Sequence, residues 1–158
     1  MKRSVVLAGG ILFFASLLPA QESGLGLGVI LGEPTGLSGK LWVSEIMAFD
    51  LAASWSFVGE GSFYLHGDYL LHVHHLIPMD EEYGSFTFHY GIGPRVELKD
   101  DPRVGIRFPF GLSYYFARIP LELFLEMAPV LDILPATTFA ANAGLGIRYY
   151  FPLSPRSP

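Results

Sequence analysis

The stretch Phe63-Tyr64-Leu65-His66-Gly67-Asp68-Tyr69-Leu70-Leu71-His72-Val73 decides the fold. Its odd positions are large and apolar apart from Gly67, and its even positions carry His66, Asp68 and His72. Side chains alternate across a strand, so a period of two marks a strand with two unlike faces. The same rhythm returns over residues 24–31, 37–43, 49–57, 86–98, 104–116, 121–127 and 139–151. Between these eight stretches lie 32–36, 44–47, 58–61, 74–84, 99–103, 117–120 and 133–138, where Gly, Pro, Asp and Ser supply the turn chemistry. Short links between successive strands predict an all-β, eight-stranded antiparallel up-and-down β-barrel with short loops. Pro94, Pro109 and Pro129 interrupt the stretches, and each removes a ladder donor, so each is expected at a bulge or a strand end. A helix over 121–128 is the local alternative, because Glu122 and Glu126 are four apart. The alternation of Leu121, Leu123, Leu125 and Met127 favours the strand.

Composition narrows the setting. The chain has 158 residues, 51% hydrophobic and only 16% charged, against roughly 25% charged in ordinary soluble domains. That much apolar surface excludes disorder. The absence of cysteine excludes disulfides, thiolate metal sites and a lipidated N-terminal cysteine. A pI near 5.4 argues against nucleic acid as a partner. At the start, Lys2 and Arg3 precede an apolar run from Val5 to Leu18 and then Pro19-Ala20. This is the layout of a secretory signal cut after Ala20. The run is shorter than the about 20 residues of a membrane helix, although an N-terminal anchor helix is the alternative. Cleavage removes two of ten basic residues and none of fifteen acidic ones, so the net charge moves from −5 to −7. The expected organisation is a signal peptide at 1–20, a barrel at 21–151 and a tail at 152–158.

One face of the strands holds most of the Leu, Phe and Trp. The other holds glycine, small polar residues and nearly all in-strand charge. In a soluble lipocalin-like barrel the apolar face turns inward; in a membrane barrel it meets lipid and the polar face fills the lumen. The membrane arrangement is favoured. The charged face also carries Trp42, Tyr64, Tyr115, Phe124 and Tyr150, which suits a packed interior. Trp55, Phe57 and Phe63 gather towards one rim, and Phe86, Tyr114, Phe116, Tyr149 and Phe151 towards the other, as interfacial girdles do.

Eight strands leave a lumen just wide enough for side chains to fill, and charges buried there must be paired. The expected lumen network is Lys40, Asp50, Asp68, His89, Arg95, Glu97, Arg107, Glu122, Glu126 and Arg148. Hairpin geometry puts Lys40 opposite Asp50, Asp50 opposite Asp68, Asp68 near His89, and Arg148 opposite Glu122. An internal plug of ion pairs is the leading reading, and a proton-handling or catalytic site around the aspartates is the alternative. His66, His72 and His74 share a face with Asp68, which raises a metal site, but lumen hydrogen bonding is the commoner use of such residues. Ser113 and His89 can be neighbours, both on the lumen side. No phosphate-cradling glycine loop occurs, because Gly24 to Gly28 reads as a strand. No catalytic residue, metal or cofactor is expected.

The last strand, Asn142-Ala143-Gly144-Leu145-Gly146-Ile147-Arg148-Tyr149-Tyr150-Phe151, resembles the C-terminal signal of bacterial outer-membrane barrels. Gly144, Gly146, Ile147, Tyr149 and Phe151 fill that pattern, although the aromatic is followed here by a tail. The mature chain as a whole resembles small eight-stranded barrels such as the OmpA membrane domain and OmpX. It is nearer still to uncharacterised outer-membrane barrel-domain proteins of Gram-negative bacteria, through Gly32-Glu33-Pro34-Thr35-Gly36, His66 to Leu70, Gly91 to Arg95, Gly111 to Phe116 and Ala128 to Asp132. The resemblance implies a monomer in the outer membrane, with membrane lipid around it and the barrel-assembly machinery as the reader of the last strand. It also implies a structural or interaction role. A small pore or lumen ligand site is the alternative, then a lipid-modifying enzyme. With the N-terminus in the periplasm, the outer loops 32–36, 58–61, 99–103 and 133–138 are too short for a receptor surface, and Asp80-Glu81-Glu82 reads as a solvated periplasmic turn.

Overall fold

The structure is a computed structural model and describes residues 24–80 and 82–152. The expected signal segment 1–20 and residues 153–158 of the expected tail lie outside them. The described residues form nine strands: β1 (Gly24–Glu33), β2 (Thr35–Trp42), β3 (Met47–Ser56), β4 (Ser62–His74), β5 (Gly84–Leu98), β6 (Arg103–Arg107), β7 (Phe110–Phe116), β8 (Leu121–Leu134) and β9 (Thr138–Pro152). Each pairs antiparallel with the next along the wall, and β1 pairs with β9 from Gly24↔Pro152 to Glu33↔Ala143. The sheet therefore closes on itself, which satisfies every edge.

The nine strands make eight staves. β6 and β7 both lie between β5 and β8, and they keep one register: Arg95 faces Gly105 and His89 faces Gly111. Phe108 and Pro109 separate them, so Pro109 does end a strand. The wall stays bonded there, because Gly91 N–H donates to the Pro109 carbonyl at 2.9 Å and Phe108 N–H donates to the Pro129 carbonyl at 2.9 Å. Pro94 and Pro129 depart from expectation. Both lie inside continuous strands, and the register runs through them, Pro94 against Ile106 and Pro129 against Ala141. A missing N–H costs little where the flanking pairs hold the ladder. The register shift falls instead between Val104 and Gly105, where Asp132 and Leu134 stand opposite. Residues 121–134 form one long strand, so the helical alternative fails. The turns are tighter than the sequence suggests: only Pro34 separates β1 from β2, and 135–137 separate β8 from β9. Between β3 and β4, Gly59 (φ 68°) and Gly61 (φ 77°) take left-handed conformations that other residues rarely adopt.

The two faces separate as the alternation requires. Along β8, Glu122, Phe124, Glu126, Ala128, Val130 and Asp132 are buried, while Leu123, Leu125, Met127 and Ile133 are exposed. Exposed Leu31, Leu37, Leu51 and Leu145 continue the apolar band around the wall. Aromatic pairs mark both ends of it, Trp55–Phe63 at 5.4 Å near one rim and Tyr149–Phe151 at 4.9 Å near the other.

Inward glycines set how the lumen fills. A Cβ on Gly26 would stand 2.8 Å from the Tyr150 ring, and one on Gly146 would overlap the Phe124 ring and meet the Val29 carbonyl oxygen at 2.8 Å. These positions are small because a large side chain on the next stave occupies their space. Gly39 faces outward, where a Cβ would meet Leu27 at an ordinary 3.5 Å. Gly146→Val should therefore lower stability by about 1–3 kcal/mol, the usual cost of overpacking. Gly39→Ala should change it little. Urea titration of each variant in lipid vesicles, read by the mobility of unboiled samples on a denaturing gel, checks the contrast.

Candidate functional site in the lumen

All ten residues of the expected network point into the barrel and are buried: Lys40, Asp50, Asp68, His89, Arg95, Glu97, Arg107, Glu122, Glu126 and Arg148. Three of the expected pairings occur as registers: Lys40↔Asp50, Asp50↔Asp68 and Glu122↔Arg148. The fourth does not. His89 stands opposite His72, and Tyr69 opposite Ile92, so Asp68 is four residues away from the place facing His89. The nine residues 75–83 between β4 and β5 give hairpin arithmetic too much freedom to fix that register.

Side-chain contacts cross the lumen as well as follow the wall. At the end where β1 starts and β9 stops, Glu122 is the hub. It accepts from Lys40 at 3.3 Å, Arg148 at 3.3 Å, Ser113 at 2.6 Å, Tyr115 at 3.1 Å and Tyr150 at 2.5 Å. Arg148 also bonds Asp50 and the Ser38 hydroxyl, the latter at 2.9 Å, and its guanidinium lies 3.8 Å over Phe124. In the middle, Arg107 holds three partners: Asp68 at 2.9 Å, Glu126 at 2.5 Å and the His66 Nδ1 at 3.0 Å. At the other end, Arg95 reaches both oxygens of Asp132 at 2.8 and 2.9 Å and Glu97 at 3.5 Å, with the Tyr64 ring 5.1 Å away.

Asp132, Tyr115 and Tyr150 belong to this network and sequence reasoning left them out of it. Asp132 was missed because Pro129 made the strand look finished at Met127. The period of two does reach it, through Ala128, Val130 and Asp132. Among the described residues, six buried carboxylates (Asp50, Asp68, Glu97, Glu122, Glu126, Asp132) meet four buried cations (Lys40, Arg95, Arg107, Arg148). Lys99 and Arg103 add charge from the rim, at 3.3 Å from Glu97 and 3.9 Å from Asp132.

Two chemical readings can be weighed on this geometry. His66, Asp68 and Glu126 bring ligand atoms within 4.8 Å of one another, a spacing that suits a metal. The Arg107 guanidinium already engages all three, so a cation occupies the space between them. His72 and His74 stand elsewhere, beside Trp42, the His72 ring tilted with centroids at 4.2 Å and the His74 ring stacked at 6.2 Å. Ser113, His89 and Glu126 form a serine–histidine–acid chain, with Ser113 Oγ 3.4 Å from His89 Nδ1 and His89 Nε2 3.2 Å from Glu126. The Ser113 hydroxyl, however, donates to Glu122 and is fully buried, so it is neither activated by the imidazole nor open to a substrate.

Removing one partner of such a cluster strands the others. Arg148→Met should destabilise the barrel by about 3–5 kcal/mol, because the buried Asp50 and Glu122 both lose a cation. Adding Asp50→Asn to Arg148→Met should recover part of that loss. Unfolding midpoints of the two single variants and the double variant measure the coupling.

No protein-family model matches the chain, and no curated protein matches it in sequence. Its structure does have a likeness among solved ones. The N-terminal β-barrel domain of Pseudomonas aeruginosa OprF superposes with a TM-score of 0.57 at 12% identity, over 82% of this chain and 97% of that one. At that identity the likeness is one of fold: this chain, like that domain, is built as a β-barrel, here of eight staves.

Proposed function

We propose that this chain is an outer-membrane β-barrel protein of a Gram-negative bacterium, exported by its N-terminal signal. In this reading it has a structural or interaction role and no catalytic one, and its lumen is plugged by its own charges. The observation that carries the proposal is the inversion of faces. Arg95, Arg107, Arg148 and Lys40 are at most 2% exposed, while Leu51 is 66% and Phe139 86% exposed. A wall of leucine and phenylalanine around a charged centre is unfavourable in water and favourable in a bilayer. The likeness to the OprF barrel domain supports the same setting.

The plug follows from the contacts across the lumen. Lys40–Glu122–Arg148–Asp50 and Asp68–Arg107–Glu126 are successive bars, each made of buried side chains. An ion passing through must displace paired charges. Assembly is assigned to β9. Gly144 and Gly146 turn inward beside the lumen side chains, while Ile147, Tyr149 and Phe151 face out, 37%, 47% and 47% exposed. This strand closes the ring against β1, and its outward residues are offered to the barrel-assembly machinery. Membrane lipid is then the protein's permanent partner, and one chain suffices to close the ring.

The full-length chain should fractionate with outer membranes and migrate faster unboiled than boiled. In planar bilayers it should show no stepwise conductance. Stable channel openings from the unaltered protein would overturn the plug, and recovery in the soluble periplasmic fraction would overturn the membrane barrel.

A further inference from the structure

The lumen is sealed in its middle but hollow at one end. Where β1 starts and β9 stops, a cavity of about 400 Å³ opens to the outside. Its floor is already taken. The rings of Trp42 and Tyr115 lie against Lys40, His72 and His74, and both His74 nitrogens are bonded, one to the Glu45 carbonyl and one to Thr87. What stays open is an apolar rim of Phe116, Ile119, Pro120 and Leu121, with one carboxylate, Glu45, exposed at the mouth. β9 runs directly past this rim. Tyr150 lines the cavity, and its N–H donates to the Pro120 carbonyl at 2.8 Å. The strand stops two residues later at Pro152, and six residues follow in the sequence, Leu153-Ser154-Pro155-Arg156-Ser157-Pro158.

We propose that this C-terminal tail folds back over the mouth and occupies the cavity, with its prolines on the apolar rim and Arg156 paired with Glu45. Backbone chemistry comes first. Proline recurs at every third position, at 152, 155 and 158. None of the three has an N–H, so the tail cannot prolong the β9 ladder. Leu153 and Ser154 are left to make the bend. Pro155 to Pro158 is then one turn of polyproline II, whose period of three puts both proline rings on one side. A stiff proline face of this kind docks on apolar, aromatic-edged grooves at low ordering cost. The length suffices. Tyr150 lies about 7 Å back along the strand from Pro152, and four polyproline residues at about 3.1 Å each reach about 12 Å.

Charge fixes the orientation. Arg156 is the tail's one charged side chain. At this end of the barrel Glu82 is already held by Arg118 at 3.3 Å. Among the described residues no lysine or arginine pairs with Glu45, the one carboxylate lining the cavity. Lys40 Nζ lies 4.8 Å over Trp42 on the floor and repels a second cation there. The guanidinium therefore belongs at the rim with Glu45, and the uncharged prolines belong on the apolar side. The tether does the rest: a short linker holds its segment at an effective concentration of about millimolar, so even a weak contact stays occupied. The tail is then a stopper at the mouth, outside the ion-pair bars.

The chain has two tryptophans and no cysteine, which makes the test direct. Trp55 lies on the outer wall near the opposite rim, packed on Phe63, so Trp55→Phe leaves Trp42 as the only emitter. Ser157→Cys then carries a nitroxide, which quenches tryptophan only at close range. In the full chain, reconstituted in phosphatidylcholine vesicles, Trp42 should lose most of its emission relative to the same chain with a diamagnetic label. Arg156→Glu should weaken the quenching, since a surface ion pair shifts an equilibrium by up to about fivefold, and Glu45→Arg added to it should bring the quenching back. Removing residues 153–158 leaves β9 whole and should open Trp42 to acrylamide, with unboiled gel mobility reporting the folded barrel. Should the truncated chain fail to fold, Pro155→Asp with Pro158→Asp in the full chain should open Trp42 in the same way. The proposal is overturned if the labelled tail leaves Trp42 bright, or if the charge exchange restores nothing. It is equally overturned if the quenching vanishes on dilution with unlabelled, tryptophan-free chains, because a second copy then supplies the tail. Trp42 staying shielded from acrylamide without the tail would also overturn it, because a lipid chain then fills the cavity.

Discussion

Three arginines and a lysine stand inside this molecule, and the rest of the architecture answers to them. Lys40, Arg95, Arg107 and Arg148 are each within 2% of full burial. An unpaired charge in a dry interior costs several kcal/mol even after relaxation, so each cation dictates its surroundings. Arg148 requires Asp50 and Glu122, Arg107 requires Asp68 and Glu126, and Arg95 requires Asp132. These partners come from different staves, which ties strand register to charge. A slip of one residue would send every carboxylate of a stave into the outer wall and its leucines into the lumen. The ion pairs therefore contribute specificity at least as much as stability.

Space is the second constraint, and it is met by glycine. Arginines, a phenylalanine and tyrosines fit in an eight-stave lumen only if other inward positions are nearly empty. Gly26 makes room for Tyr150, Gly146 for Phe124, and Gly111 for His89, whose ring a Cβ would meet at 2.8 Å. The glycine-rich look of β1 and β9 is thus a packing pattern in which one stave's absence is its neighbour's side chain. The same arrangement leaves a cavity of about 400 Å³ at the end where β1 starts and β9 stops. Tyr115 and Tyr150 are drawn towards Glu122, and the space beyond them is left open.

Most of the fold was legible in the sequence because a barrel repeats one simple signal. Eight alternating stretches gave eight staves, and the charged face named the ten lumen residues. Pairings across tight turns, such as Lys40 with Asp50, followed from counting back through the hairpin. What was not legible has physical causes. The nine-residue link 75–83 left the β4–β5 register free, and His89 went to His72 rather than Asp68. Prolines misled twice, since Pro94 and Pro129 sit in unbroken strands and only Pro109 marks a break. Contacts across the lumen, such as Arg107 with both Asp68 and Glu126, depend on the curvature of the closed wall, which no strand-by-strand reading contains.

The central claim is that the leucine-rich face meets lipid and the charged face meets the lumen. The chain has no cysteine, so single cysteines introduced one at a time over residues 121–127 can carry an environment-sensitive fluorophore without background. In bilayers containing lipid-borne quenchers, the account predicts strong quenching at Leu121, Leu123, Leu125 and Met127, and little at Glu122, Phe124 and Glu126. Quenching without the period of two, or absent from the leucine positions, would contradict it.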